Sequence, residues 1–96
     1  MSRLRKSAWM QPCAIRIPNV CNFDPETTIL AHARAGGMAM KCPDTVAFYC
    51  CSACHAVYDR HDARWRQFGR DALDSMALRA IEETHVTMIR EGVLDA

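Results

Sequence analysis

The six cysteines are the residues of this sequence with the clearest chemical potential. Cys51 and Cys54 are separated by two residues, a spacing at which two thiolates on one turn can reach the same tetrahedral Zn²⁺ ion. Cys13 and Cys21 form a second pair, and a Pro-Asn turn between them can bring both sulfurs together. Structural zinc sites are usually closed and four-coordinate. The spacing therefore predicts a structural zinc ion on Cys13, Cys21, Cys51 and Cys54.

Other interpretations of the cysteines stay open. Free cysteines are often small buried apolar residues, and a Cys-x-x-Cys pair can carry redox chemistry, although no βαβ pattern surrounds this one. Cys42 and Cys50 are surplus to a four-sulfur site. Because neighbours on a strand point to opposite faces, only one of Cys50 and Cys51 can face the metal. The two-residue gap favours Cys51 and leaves Cys42 and Cys50 as non-ligands.

The histidines add candidates for acid-base and metal chemistry. His32 and Arg34 lie two residues apart in an extended segment, so both project from one face. A guanidinium favours the neutral imidazole that a general base needs, and it offers a fork for phosphate oxygens. His55 and Asp59 are four residues apart in a predicted helix, where both can bind one hard divalent cation, with His61 in reserve. Each pair also has a purely structural alternative, as a satisfied core histidine or a solvated helix surface.

The elements that must position these residues follow from periodicity. Residues 13–18 alternate in polarity with the period of two that marks a half-buried strand. Residues 27–34 and 45–50 are rich in β-branched and aromatic side chains and predict two further strands. The glycine pair Gly36-Gly37 is predicted to end the second strand, and a flexible loop follows it.

Helical periodicity begins after Cys51 and is clearest over residues 71–91. There the apolar side chains recur at steps of three and four, which predicts a stripe that faces a core, and Gly92 is placed to stop the helix. The stripe consists of Leu73, Met76, Ala77, Ala80, Ile81, Thr84 and Met88. We interpret it as packing, so that the chemistry is expected between Cys13 and His61.

Composition limits the domain count, the partners and the location. The 96 residues carry 12 Lys+Arg against 11 Asp+Glu, which fits one globular domain with no overall preference for a polyanion. Residues 1–70 nevertheless carry 10 basic and 5 acidic side chains, whereas residues 71–96 carry 2 and 6. No secretory signal and no apolar run of about 20 residues is visible, which predicts a cytoplasmic protein without membrane contact. Four arginines crowd around Trp65 in a composition that suits phosphate contacts, namely Arg60, Arg64, Arg66 and Arg70.

Taken in order, these segments resemble the HNH (His-Me finger) endonucleases, and among them the small prophage-encoded nucleases typified by YbcO. The resemblance covers nearly the whole chain. Its most specific matches are Leu30-Ala31-His32-x-Arg34 and Cys51-Ser52-Ala53-Cys54-His55. Many family members have histidine as the last metal ligand, where this chain has Asp59.

The resemblance implies an α+β fold, in which a small zinc-stabilised ββα-metal core is supported by a long C-terminal helix. A single domain would comprise a basic arm (1–12, loose or a short helix), the core (13–66) and the helix (71–91). It implies hydrolysis of DNA phosphodiester bonds, with His32 as general base and Mg²⁺ or Mn²⁺ on His55 and Asp59. Arg34 would help to neutralise the transition state.

Two alternatives to catalysis stay open. The first is a zinc-stabilised DNA-binding accessory protein, which needs phosphate contacts but no general base. The second is a protein-protein adaptor that uses the C-terminal helix.

Overall fold

Two short antiparallel strands lie at the centre of the fold. In the computed structural model, which describes residues 2–34 and 42–95, strand β1 (Ile29–His32) pairs with strand β2 (Ala47–Cys50). Ile29 lies opposite Cys50, and His32 lies opposite Ala47. Every residue of β2 is buried. The two predicted strands are confirmed, but β1 starts at Ile29 because residues Pro25–Thr27 form a 3₁₀ turn capped by the side chain of Asp24.

The predicted strand at residues 13–18 is wrong. Arg16 and Asn19 have φ angles of 46° and 63°, in the left-handed region, which breaks an extended segment. Ala14 and Ile15 are neighbours and both are buried, so the alternating polarity of the sequence does not correspond to alternating buried and exposed side chains. The segment instead runs beside β2, where the Ala14 N–H donates to the Tyr49 carbonyl at 2.9 Å.

The outer edge of β2 is closed on both sides of Tyr49. Its carbonyl accepts the bond from Ala14, and its N–H donates to the Thr84 hydroxyl at 3.0 Å. Thr84 is buried and belongs to the long C-terminal helix. The sheet therefore joins the helix through a specific polar contact as well as through apolar packing.

Three helices complete the described part of the chain: α1 (Arg3–Lys6), α2 (Ser52–Tyr58) and α3 (Gly69–Arg90). Helix α2 directly follows β2, and it ends at Tyr58 because Arg60 adopts a φ of 64°. The helical periodicity that begins after Cys51 is therefore interrupted, and residues Ala63–Gln67 form a separate 3₁₀ helix. His61 lies in the turn between them rather than on α2.

Helix α3 confirms the predicted C-terminal helix and most of its apolar stripe. Leu73, Ala77, Ala80, Thr84 and Met88 are buried, while the two other members of the stripe are half-buried. Glycine 92 has a φ of 74°, the left-handed conformation that commonly terminates a helix. None of the helices in residues 2–34 and 42–95 combines the length and apolar character needed to cross a bilayer.

The predicted strand end at Gly36-Gly37 and most of the loop after it lie outside the described residues. The described chain resumes at Cys42. A tight turn follows, in which the Val46 N–H donates to the Pro43 carbonyl at 2.8 Å. This turn holds Asp44 immediately before β2.

The α3 stripe provides a direct test of this packing. Leu73 is fully buried, whereas Leu78 on the same helix is 61% exposed. Leu73→Ala should lower the free energy of unfolding by about 2–5 kcal/mol, because it removes apolar contacts and leaves a cavity. Leu78→Ala should change it by less than about 0.5 kcal/mol. Urea denaturation of both variants measures the difference, and equal effects would contradict the orientation of α3.

Candidate active site and metal centre

Four cysteine sulfurs converge where the segment before β1 meets the start of α2. The Sγ atoms of Cys13, Cys21, Cys51 and Cys54 all lie within 4.8 Å of one another. The Cys21 and Cys51 sulfurs are 3.9 Å apart. Zinc-sulfur bonds of about 2.3 Å in a tetrahedron require sulfurs about 3.8 Å apart. The predicted four-cysteine cluster is thus present, with a spacing close to that of a zinc site.

The local backbone favours this convergence. Cys51 is the N-cap of α2, and its sulfur accepts a hydrogen bond from the Cys54 N–H at 3.4 Å. The first turn of the helix therefore places two ligands side by side. Within the described residues, the four-sulfur group includes neither Cys42 nor Cys50, the two cysteines that the spacing assigned elsewhere.

The pKa values of the clustered cysteines differ from that of a free thiol, and they indicate how a bound cation would affect the ionisation of the four sulfurs. Burial raises the pKa of Cys21 to about 11. Hydrogen bonding with Cys13, together with burial, raises the pKa of Cys54, while hydrogen bonding with Cys50 and Cys54 lowers the pKa of Cys13. Without a cation, burial and mutual repulsion oppose ionisation of the whole set. A bound dication stabilises all four thiolates, so the donor set fits a metal ion such as zinc.

His32 is paired with a carboxylate that the sequence analysis did not assign. Its Nε2 atom lies 2.7 Å from Asp44 Oδ1, and both side chains are half-buried. Hydrogen bonds from His32 and then Ser2, together with the charge of Arg5, lower the pKa of Asp44 to about 2. Asp44 is therefore a carboxylate at neutral pH and can only accept a hydrogen bond. Nε2 of His32 must carry the proton, which leaves Nδ1 as the basic atom of the ring.

The depressed pKa also sets the pH range of this pair. Asp44 has an ordinary pKa of 3.8 and a folded value of about 2. Its contribution to stability is present above pH 3.8 and is lost as the pH falls toward 2, because only then does the folded carboxylate take up a proton.

A second histidine-carboxylate pair lies at the end of α2. His55 Nε2 is 2.8 Å from Asp59 Oδ2, as their i,i+4 spacing predicts, although Asp59 is the C-cap residue rather than a residue of the helix itself. Arg34 Nη1 lies 4.0 Å from Asp59 Oδ1. Burial alone would raise the pKa of Asp59, but the hydrogen bond from His55 and the nearby charges of Arg34 and His61 lower it.

Tyr58 connects the regions of the His32–Asp44 pair and the His55–Asp59 pair, which lie at the same end of the hairpin formed by β1 and β2. The Arg34 N–H donates to the Tyr58 hydroxyl at 3.1 Å, so the chain leaving β1 is held against the end of α2. The ring of Tyr58 packs edge-on against Phe48 of β2 with centroids 5.2 Å apart. His32, two residues before Arg34, therefore lies at the end of the hairpin that also carries the His55–Asp59 pair.

The arginines near Trp65 fall into two groups. Arg60 and Arg66 both lie against Trp65, each with its guanidinium carbon 5.6 Å from the ring centroid. Arg64 pairs with Asp62, and Arg70 pairs with Asp74.

His61 is the site residue that the structure does not bring into either pair. It is exposed, and in the described residues its side chain forms no hydrogen bond, whereas its backbone N–H donates to the Ala56 carbonyl at 2.9 Å.

Asp44 is a candidate site residue that the sequence did not predict. It stands in the turn just before β2, and the antiparallel register sets Ala47 opposite His32. Once the two strands are paired, a carboxylate three residues before Ala47 falls within reach of the histidine. The pairing of Asp44 with His32 follows from the strand register, and the sequence alone does not determine that register.

Comparison with known proteins agrees with this architecture. The model of a family described as "Putative nuclease YbcO" matches residues 2–93. The chain belongs to the YbcO family. Proteins named "Putative nuclease YbcO" from Escherichia coli K12 and from Enterobacteria phage 82 are each 40% identical to this YbcO-family chain over the full length of both sequences.

A solved structure gives the same result for the fold. It is described as that of a "putative bacteriophage protein" from Escherichia coli K-12 and is 38% identical to the YbcO-family chain, with a TM-score of 0.78. The match covers 94% of this chain and 100% of the other.

Proposed function

We propose that this chain is a metal-dependent endonuclease of the HNH type that hydrolyses DNA phosphodiester bonds. The observation that carries the proposal is the presence of two histidine-carboxylate pairs at one end of a strand-strand-helix unit, His32 with Asp44 and His55 with Asp59. Relatives at 40% identity that carry the name "Putative nuclease YbcO" support it. In this proposal, β1, β2 and α2 form the ββα-metal core.

His32 acts as the general base. Its Nδ1 atom takes a proton from the water that attacks phosphorus, and the ring becomes an imidazolium. Asp44 accepts the hydrogen bond from Nε2, so it orients the ring and stabilises the positive charge that develops. The half-buried position of both groups strengthens this interaction relative to bulk water.

His55 and Asp59 are the residues that would hold a catalytic Mg²⁺ or Mn²⁺ ion. The lowered pKa of Asp59 keeps the carboxylate charged, and an imidazole nitrogen with a carboxylate oxygen is a donor set that suits Mn²⁺ and tolerates Mg²⁺. Such an ion supplies Lewis-acid stabilisation of charge at the phosphate and at the leaving oxygen. Arg34, 4.0 Å from Asp59, adds a positive charge beside the same position.

The zinc and the DNA contacts have separate roles in this proposal. Cys13, Cys21, Cys51 and Cys54 would hold the zinc ion, which would fix the segment before β1 to the start of α2. The guanidinium groups of Arg60 and Arg66 on Trp65 form a cationic surface for phosphates. Arg64 and Arg70 are close to them in sequence, and Arg34 adds a positive charge beside Asp59. Because these contacts need no general base, this surface also favours the alternative function, a zinc-stabilised DNA-binding accessory protein.

Nicking of supercoiled plasmid distinguishes the two functions. The zinc-loaded protein should nick DNA when Mg²⁺ or Mn²⁺ is added and stop when the added ion is removed. Asp59→Asn should lower the rate by about 10- to 100-fold at fixed ion concentration, because the amide removes one charged ligand. Glu82→Gln also converts a carboxylate to an amide, at an exposed residue of α3 that has no side-chain hydrogen bond or ion pair within residues 2–34 and 42–95, and it should leave the rate unchanged.

Binding of DNA without any metal-dependent nicking would favour the accessory protein. An equal loss in Asp59→Asn and Glu82→Gln would argue against Asp59 as a metal ligand.

A further inference from the structure

Asp44 is held by more than its histidine. Oδ1 accepts from His32 Nε2 at 2.7 Å and from Arg5 Nε at 3.3 Å, while Oδ2 accepts from Ser2 Oγ at 2.7 Å. Two of the three donors therefore come from the N-terminal segment, about 40 residues away in sequence. Both carboxylate oxygens are engaged, so the carboxylate cannot rotate without losing a bond.

The two donors of the arm are parts of one small structure. The Ser2 hydroxyl caps α1 by accepting the Arg5 N–H at 3.1 Å while it donates to Asp44. Helix α1 is in turn attached to the sheet, because the Ser7 hydroxyl lies 2.8 Å from the Tyr49 hydroxyl. The arm that contacts Asp44 is thus itself hydrogen-bonded to β2 through Ser7.

Helix α3 supports the same turn from another direction. His85 Nε2 hydrogen-bonds the carbonyl of Thr45, the residue that follows Asp44. Helix α3 therefore holds the backbone of the turn, and the arm holds the side chain of Asp44. The remaining partner of Asp44 is His32, whose ring is oriented by this fixed carboxylate.

We propose that Ser2 and Arg5 are positioning residues, which hold Asp44 in place and thereby fix the ring of His32 for proton transfer. Ser2 and Arg5 then support the catalytic apparatus, in addition to any attraction of DNA by the positive charge of the arm. This inference rests on the proposed nuclease function, and it adds a role for residues that were predicted only as a loose arm or a short helix.

The competing explanation is that the arm acts only through its charge, by attracting DNA. Arg5→Gln and Lys6→Gln separate the two explanations, because each removes one positive charge from α1. Arg5 contacts Asp44, whereas the Lys6 side chain has no hydrogen bond or ion pair within residues 2–34 and 42–95. Charge attraction predicts equal effects, and positioning predicts an effect of Arg5→Gln alone. Ser2→Ala removes the second donor without any change of charge.

Two measurements test the proposal. In DNA cleavage, we expect the double variant Ser2→Ala/Arg5→Gln to lower kcat about tenfold with little change in KM, as loss of a supporting hydrogen bond does. Lys6→Gln should keep kcat. In NMR of the zinc-loaded protein without DNA, the His32 Nε2–H proton should exchange with water at least about tenfold faster in the double variant and unchanged in Lys6→Gln. Circular dichroism and zinc content verify that each variant is folded.

Equal kcat losses in Arg5→Gln and Lys6→Gln, or an unchanged His32 Nε2–H signal in the double variant, would overturn the proposal. The NMR measurement needs no activity. If the wild-type protein cleaves no DNA, the nuclease proposal fails, while the exchange rate still decides whether the arm holds the His32–Asp44 pair.

Discussion

Cys51→Ser should bind little or no zinc and should fail to fold stably. Apparent zinc-binding free energies of about 10–16 kcal/mol in finger peptides match or exceed the about 5–15 kcal/mol that stabilises a typical domain. Losing one of four ligands is therefore enough to unfold a chain of this size. The exchange is well suited to the test, because serine is also a good N-cap and preserves the cap of α2. Zinc content by atomic absorption and thermal melting by circular dichroism measure the effect.

Cys42→Ser is the matched control. Cys42 is half-buried, and the cluster of four sulfurs does not include it. This variant should keep about one zinc ion per chain, together with a wild-type melting temperature, as a non-ligand predicts. A wild-type protein that keeps its melting temperature after a strong chelator has removed all metal would show that the cluster is only a group of buried thiols.

His32→Ala should reduce metal-dependent DNA cleavage by about 10²–10⁴-fold, the range that a positioned general base contributes. The fold should survive, because His32 is only half-buried and ends a strand whose neighbours Leu30 and Ala31 provide the buried contacts. The initial rate of plasmid nicking at saturating Mg²⁺ or Mn²⁺ measures the loss.

Free imidazole serves as the control for the role of His32. It should partly restore cleavage by His32→Ala, because it fills the vacated space and supplies a proton acceptor. It should not restore Asp59→Asn, which lacks a metal ligand instead. Cleavage by His32→Ala at the wild-type rate would indicate a contaminating nuclease and would refute the assignment of the base.

The parts of this fold that sequence could predict are those that local spacing determines. A gap of two residues between Cys51 and Cys54 fits one helical turn, and steps of three and four determine the buried face of α3. The His55–Asp59 pair belongs to the same class, because an i,i+4 spacing brings side chains together on or at the end of any helix.

The parts that sequence could not predict depend on contacts between distant segments. The polarity of residues 13–18 alternates as in a strand, yet two left-handed residues, Arg16 and Asn19, turn the segment, and Cys13 lies in the four-cysteine cluster. The hydrogen bonds that Asp44 accepts from His32 and Ser2 join residues 12 and 42 positions apart, so they produce no periodic pattern in the sequence. Residue spacing therefore identified the members of the four-cysteine cluster, whereas Asp44, the partner of the proposed base, was missed.

The hydroxyl of Thr84 occupies a backbone hydrogen-bonding position at the outer edge of β2. A two-stranded sheet presents open edges, and an unpaired edge is a template for a strand of another molecule. At Tyr49 that template is blocked, because a helix side chain takes the N–H and the backbone of Ala14 takes the carbonyl. A neighbouring strand could pair at Tyr49 only if Thr84 or Ala14 first gave up its hydrogen bond.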